Sequence, residues 1–158
     1  MRVLRITNPS AMDLEPMQDL LGEVSDQVID SPSKDDMLDW FRKNLEDDRV
    51  CLLVATEGGL RFQGLAVLSF FTDLWNPYPW AGAFYSRKRD ARKALAEEMR
   101  RIVAEAGFDR VRAINGTGAS DRAYATLWRQ VATVRVVGPA VELVMIPLDS
   151  LDRGEENA

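Results

Sequence analysis

From Arg49 to Tyr85 the chain is written almost entirely in sheet-forming residues, and sequence with helical period flanks that run on both sides. Val50 to Thr56 is nearly continuous apolar, Glu57-Gly58-Gly59 is a turn signal, and Leu60 to Phe71 is again rich in apolar and aromatic residues. This pattern predicts a hairpin buried on both faces. Asn76-Pro77-Tyr78-Pro79 reverses the chain, and Trp80 to Tyr85 supplies the next strand. The aromatic group Phe70, Phe71, Trp75, Tyr78, Trp80, Phe84 and Tyr85 is expected to be mostly core, with a remainder free to line a groove or an interface.

Upstream, Val3, Leu4 and Ile6 alternate with Arg2, Arg5 and Thr7 in a short first strand that stops at Asn8-Pro9. Two helices follow in tandem. In the first, Asp13 to Val28, the residues Met17, Leu20, Leu21, Val24 and Val28 recur at helical spacing, with Asp13 as the expected N-cap and Pro16 in the first turn. Ser33 with Asp36 opens the second, which places Met37, Trp40, Phe41 and Leu45 on one face.

Downstream, Asp90 to Ala106 is the most regular helix. Leu95, Met99, Ile102, Val103 and Ala106 form its stripe, Glu97 and Arg101 stand four apart, and Gly107 is placed to end it. Phe108 to Ile114 reads as a strand and Gly116-Thr117-Gly118 as a loop. A helix capped by Ser120 or Asp121 carries Tyr124, Leu127, Trp128 and Val131, and the strands Val134 to Val137 and Val141 to Leu148 close the order. The expected architecture is α+β, a mixed and mostly antiparallel sheet flanked by helices in the order β-α-α-β-β-β-α-β-α-β-β. Residues 1–148 form one domain, and the polar stretch 149–158 is expected to be a flexible tail.

The 158 residues carry a net charge of −5 and no His, which removes the commonest general base and metal ligand and argues against a generally nucleic-acid-binding surface. The lone Cys51 sits in an apolar run and reads as a buried strand residue. No apolar run reaches the roughly 20 residues of a membrane-spanning helix, so a cytoplasmic protein without membrane or metal partners is expected. Charge is segregated. Residues 1–48 hold 12 acids and 5 bases, whereas Arg87 to Arg101 hold seven bases and three acids.

The order of elements resembles that of the GNAT superfamily, the Gcn5-related N-acetyltransferases, over about residues 1–148. In that family the fourth strand splays from the fifth. The loop from the fourth strand into the central helix carries Gln/Arg-x-x-Gly-x-Gly/Ala, whose backbone N–H groups bind the pyrophosphate of acetyl-CoA at a helix N-terminus. Arg89-Asp90-Ala91-Arg92-Lys93-Ala94 is the best register here, with Arg89 and Ala94 matching and Arg92 in place of glycine. The resemblance therefore implies that acetyl-CoA or another acyl-CoA is bound by Phe84, Tyr85, Ser86, Arg87, Lys88, Arg89, Ala91, Arg92, Lys93 and Ala94, with Asn115 of the later loop.

A second family pattern, Asn-x-x-Ala-x-x-Leu-Tyr-x-x-x-Gly-Phe, supplies a Tyr that protonates the leaving thiolate. Trp128 stands at that position, and an indole has no useful acidity near neutral pH. Tyr124, one turn earlier on the same face, is the candidate acid, and Glu142 is the first candidate base ahead of Asp73 and Glu57. The resemblance implies an acyl-CoA-dependent N-acyltransferase acting on a small-molecule or protein amine, with the acidic first helices favouring a cationic acceptor. The two departures from the motifs imply the alternative of a degenerate GNAT-fold protein without the chemistry. The chain also resembles small degenerate GNAT-like proteins encoded by tailed bacteriophages, through its basic strand-to-helix junction and Asn-containing loop, which would give it virion proteins or a second copy of itself as partners.

Overall fold

The computed structural model describes residues 1–28, 31–114, 128–129, 133–137 and 140–144. Strands β1 (Arg2–Ile6), β2 (Val50–Thr56), β3 (Phe62–Ser69), β4 (Trp80–Ser86), β5 (Arg110–Ile114), β6 (Thr133–Val137) and β7 (Ala140–Val144) form one sheet in the order β1-β2-β3-β4-β5-β7-β6. All neighbours run antiparallel except β4 and β5, which are parallel. Helices α1 (Glu15–Gln27) and α2 (Lys34–Asn44) cover one face and α3 (Arg89–Glu105) the other. The expected α+β architecture and the hairpin buried on both faces are both present.

Alternation along the strands divides the core. Leu52, Val54, Leu65 and Val67 pack beneath α1 and α2, while Cys51, Leu53, Ala66 and Leu68 pack beneath Leu95, Met99 and Val103 of α3. Every residue of β2 is buried, so no solvent-facing polar residue interrupts it and it reads as a continuous apolar run. Cys51 is fully buried, and that burial pushes its thiol upward.

Several local expectations are corrected. Asp13 does not cap α1: a 3₁₀ turn, Pro9–Asp13, intervenes, capped by the Asn8 side chain accepting from Ser10 N at 3.0 Å. The chain enters α1 through extended Leu14, and Asp13 instead pairs with Arg42 of α2 at 3.1 Å. Ser33 does cap α2, accepting from Asp36 N at 3.1 Å. Trp40 is 40% exposed and Leu38 takes its place in the core, because the buried arc is centred on Met37, Phe41 and Leu45 and Trp40 falls at its rim. Arg101 bonds Glu98 and Glu105 rather than Glu97. Gly107, at φ 89°, ends α3 as read, in a conformation that favours glycine.

The aromatic group is also divided rather than mostly core. Phe70 and Phe84 pack on the α3 side and Tyr85 on the α1 side, but Phe71 is 40% and Trp75 86% exposed. Both lie on the β3–β4 connection, which Asp73 braces by accepting from Trp75 N at 2.8 Å and Asn76 N at 2.7 Å. That carboxylate is committed to a turn. At the entry to β2, Asp47 accepts from the Arg49 side chain and backbone, which holds its carboxyl down at about 2.

A carboxyl depressed in the folded state contributes stability that is present above its unfolded value and lost as pH falls through the folded one. The urea midpoint of wild type should therefore exceed that of Asp47→Asn at about pH 5 and converge with it near pH 2. A gap that stays constant across that range would show that the clamp does not titrate. Among the described residues no helix is long and apolar enough to cross a membrane.

Candidate functional site

The site is set by how β4 leaves β5. Among the described residues their register holds two pairs, Trp80 with Arg112 and Ala81 with Ala113, and β5 is described as far as Ile114. A bulge lies on the other edge of β4. Ala81 pairs with Leu68 and Ala83 with the adjacent Val67, so Gly82 is an extra residue in β4, and such a bulge bends the strand and increases its twist. The pairing of β4 with β5 thus ends at the bulge, and among the described residues 82–86 of β4 have no β5 partner.

Beyond the bulge β4 stays bound to β3. Gly64 pairs with Ser86, and Arg87 N donates to Gln63 O at 2.8 Å. Lys88 is the extended N-cap of α3 and offers no side-chain cap; the first helical bond is Arg92 N to Lys88 O at 3.1 Å. The amides of Arg89, Asp90 and Ala91 accordingly have no hydrogen-bond acceptor among the described residues. They form a donor set at a positive dipole end, opening beside the end of β4.

This geometry shifts where the pyrophosphate motif would act. In the register Arg89 to Ala94, the amides of Arg92, Lys93 and Ala94 lie past the first turn and are spent on the helix itself. The donors are instead Arg89, Asp90 and Ala91. Ala91 is fully buried under the sheet, Arg92 and Ala94 are half-buried, and Arg89 and Lys93 are exposed. Among the described residues Arg89, Arg92 and Lys93 have no ion-pair partner, whereas the two preceding bases do.

Arg87 is held from two sides, its Nε donating to Glu23 Oε2 at 2.6 Å and its Nη1 to Phe62 O at 2.7 Å. Lys88 Nζ bonds Glu57, which lowers that carboxyl below its ordinary value. Glu57 stands on the β2–β3 turn, pinned by buried Thr56, whose Oγ1 accepts from Gly58 N at 3.0 Å and lies 3.2 Å from Arg61 O. Tyr85 faces the same corner. Burial and then the Glu23 carboxylate push its phenol upward, so it stays protonated as a donor.

Glu23 escapes a reading of the sequence, because helical acids usually mark a solvated face. The signal was its spacing: Asp19, Glu23 and Asp26 fall four and three apart on α1. With Gln18, Gly22, Lys34 and Arg87 they line an open groove of about 400 Å³. On the opposite face of β4, Phe84 meets Trp128 with ring centroids 4.6 Å apart, and Trp128 is buried in the core beneath α3. Glu142 stands in β7 opposite Arg112 of β5 and Arg135 of β6. Tyr124 and Asn115, like the loop and helix predicted between β5 and β6 and the tail, lie outside the described residues.

No protein-family model matches the sequence, and no curated protein matches it. Solved structures do resemble it. An aminoglycoside 6'-acetyltransferase type Ii superposes with a TM-score of 0.66 at 13% identity, over 93% of this chain and 99% of that one. The PaiA N-acetyltransferase from Thermoplasma acidophilum, in complex with coenzyme A, gives 0.61 at 12% identity, over 91% and 99%. AAC(6')-Iy, in complex with the bisubstrate analog CoA-S-monomethyl-acetylneamine, gives 0.64 at 15% identity, over 82% and 88%. At such identities the likeness is one of fold, and the fold is that of the GNAT acetyltransferases.

Proposed function

We propose that the chain is an acyl-CoA-dependent N-acyltransferase, acetyl-CoA being the first candidate, that acts on a cationic amine. The observation that carries this reading is the end of the β4–β5 pairing at Ala81 and Ala113 among the described residues, followed by the three free amides at the start of α3. A strand edge without a partner offers backbone donors and acceptors to the amide-bearing arm of an acyl-CoA, and the helix entrance offers them to its phosphates. Arg89, Arg92 and Lys93 supply the cations. The amine nitrogen then attacks the thioester carbonyl, the C–S bond breaks, and the thiolate takes up a proton. Holding the two reactants together accounts for much of the rate in such a step.

The neighbours lend support in kind, since two are complexes with coenzyme A or a CoA-linked analog and another is an aminoglycoside 6'-acetyltransferase. The acids of α1, with Asp19, Glu23 and Asp26 on one groove, suit a cationic acceptor. In this reading Tyr124 protonates the thiolate and Glu142 takes the amine proton, and Tyr124→Phe and Glu142→Gln each lower kcat.

Calorimetry with acetyl-CoA tests the reading. Wild type should bind, and Arg89→Ala/Arg92→Glu should bind about tenfold or more weakly, since charge-assisted bonds to phosphate contribute about 1.5–3 kcal/mol each. Absence of binding by wild type at about millimolar ligand, an affinity near −4 kcal/mol, would sink it. A specific observation favours a second reading, a GNAT-fold interaction protein without turnover, virion-associated if phage-encoded: Arg87 and Lys88 are already neutralised by carboxylates and Asp90 sits among the donor amides. Binding of acetyl-CoA with no transfer to any of a panel of diamines would select it.

A further inference from the structure

We propose that Glu23 and Glu57 are built-in competitors for the anion site, occupying Arg87 and Lys88 in the free protein and yielding them to a phosphate-bearing ligand. This rests on the reading of the α3 entrance as a phosphate site. The two carboxylates come from different elements, α1 and the β2–β3 turn, yet both converge on consecutive residues of the β4–α3 junction. Neither arrives by helical or hairpin spacing from its partner: the pairs are 64 and 31 residues apart in sequence. They are long-range contacts aimed at the two cations that immediately precede the free amides of Arg89 to Ala91.

Their energetics suit exchange. Both pairs are partly exposed, with side chains 31% and 36% accessible for Arg87 and Glu23, and 51% and 27% for Lys88 and Glu57. Ion pairs of that kind are weak, whereas a phosphate offers Arg a doubly charged, bidentate partner. The carboxylates therefore lower ligand affinity without closing the site. Arg87 keeps its bond to Phe62 O throughout, so the guanidinium can turn one edge from Glu23 to a ligand without leaving its place. Glu23, once released, remains on the wall of the groove with Asp19 and Asp26.

The test is calorimetry with coenzyme A, which carries the phosphates but no acyl group, on wild type, Glu23→Gln, Glu57→Gln and the double variant. Each single variant should bind about two- to fivefold more tightly, and the double variant about tenfold, as expected for release of weak surface pairs. Glu46→Gln removes the same charge from the exposed α2–β2 connection and should leave affinity unchanged. Equal or weaker binding by both Glu variants, or an equal gain in Glu46→Gln, overturns the proposal while wild-type binding leaves the acyl-CoA reading standing. If no variant binds, both the reading and this inference fall. Because the two carboxylates lie on separate elements, misfolding of one variant leaves the other as a complete test.

Discussion

Gly64→Val should cost about 3 kcal/mol of stability, the upper part of the range for overfilling a packed core, and should weaken acetyl-CoA binding in the same protein. Gly64 faces Ser86 across the β3–β4 ladder. A Cβ at this position would lie 2.6 Å from the Tyr85 carbonyl oxygen, 3.0 Å from Ser86 Cα and 3.1 Å from Leu95 Cδ1. Two of those atoms are backbone, so no rotamer change relieves them, and the third belongs to a fully buried side chain of α3. The end of β4 must move away from β3, which loosens the ladder and shifts the junction that carries Arg87 and Lys88. Gly82 provides the contrast. Among the described residues a Cβ there meets nothing within 4 Å, so Gly82→Ala should stay within about 0.5 kcal/mol of wild type. Urea unfolding of the two variants reads the difference, and a Gly64→Val midpoint equal to wild type would refute the close approach.

How much of this was open to a reader of the sequence differs between fold and site. The buried hairpin was legible because Val50 to Thr56 is apolar at every second residue and between, and only a sheet covered on both faces tolerates that. α3 was legible from its stripe and Gly107. The bulge at Gly82 was not, since a two-against-one pairing depends on the partner strand, and it is at the bulge that the described pairing with β5 ends. The basic junction was visible as composition, but its neutralisation was not: Glu23 and Glu57 reach Arg87 and Lys88 only through tertiary packing. The free donors at the start of α3 were hidden for a similar reason. Which amides are free depends on where the first helical turn closes, and the carbonyl of Lys88 closes it three residues earlier than Arg92-Lys93-Ala94 requires. Trp40 was placed on the apolar face of α2 by its spacing and Trp75 in a mostly buried aromatic group, and their exposure reflects the limited width of the buried arc of α2 and the outward turn braced by Asp73.

Trp128→Ala should be among the most damaging single substitutions in the described core, lowering stability by about 3–5 kcal/mol, the range for emptying a buried Trp or Phe site. Trp128 is 5% exposed and packs in the cluster that holds Ala81, Ala91, Leu95 and Met99, so it shares one contiguous core with the last β4 residue paired to β5 and with the first turn of α3. Its ring also meets Phe84 at 4.6 Å and 59°, a tilted pair on the stretch of β4 that has lost β5 as a neighbour. Among the described residues Phe84 has no β5 partner, and the aromatic contact braces that side of β4. Trp128→Phe keeps a ring against Phe84 and should recover more than half of the loss, whereas Trp128→Leu, apolar but without the ring face, should recover less. Urea unfolding followed by far-UV circular dichroism ranks the three. Calorimetry with acetyl-CoA at a temperature where all remain folded separates the second effect: if the brace holds the strand open for the ligand, Trp128→Phe binds nearly as wild type and Trp128→Leu binds several-fold more weakly. Equal affinity for Phe and Leu variants would mean that the indole fills the core and has no part in shaping the opening.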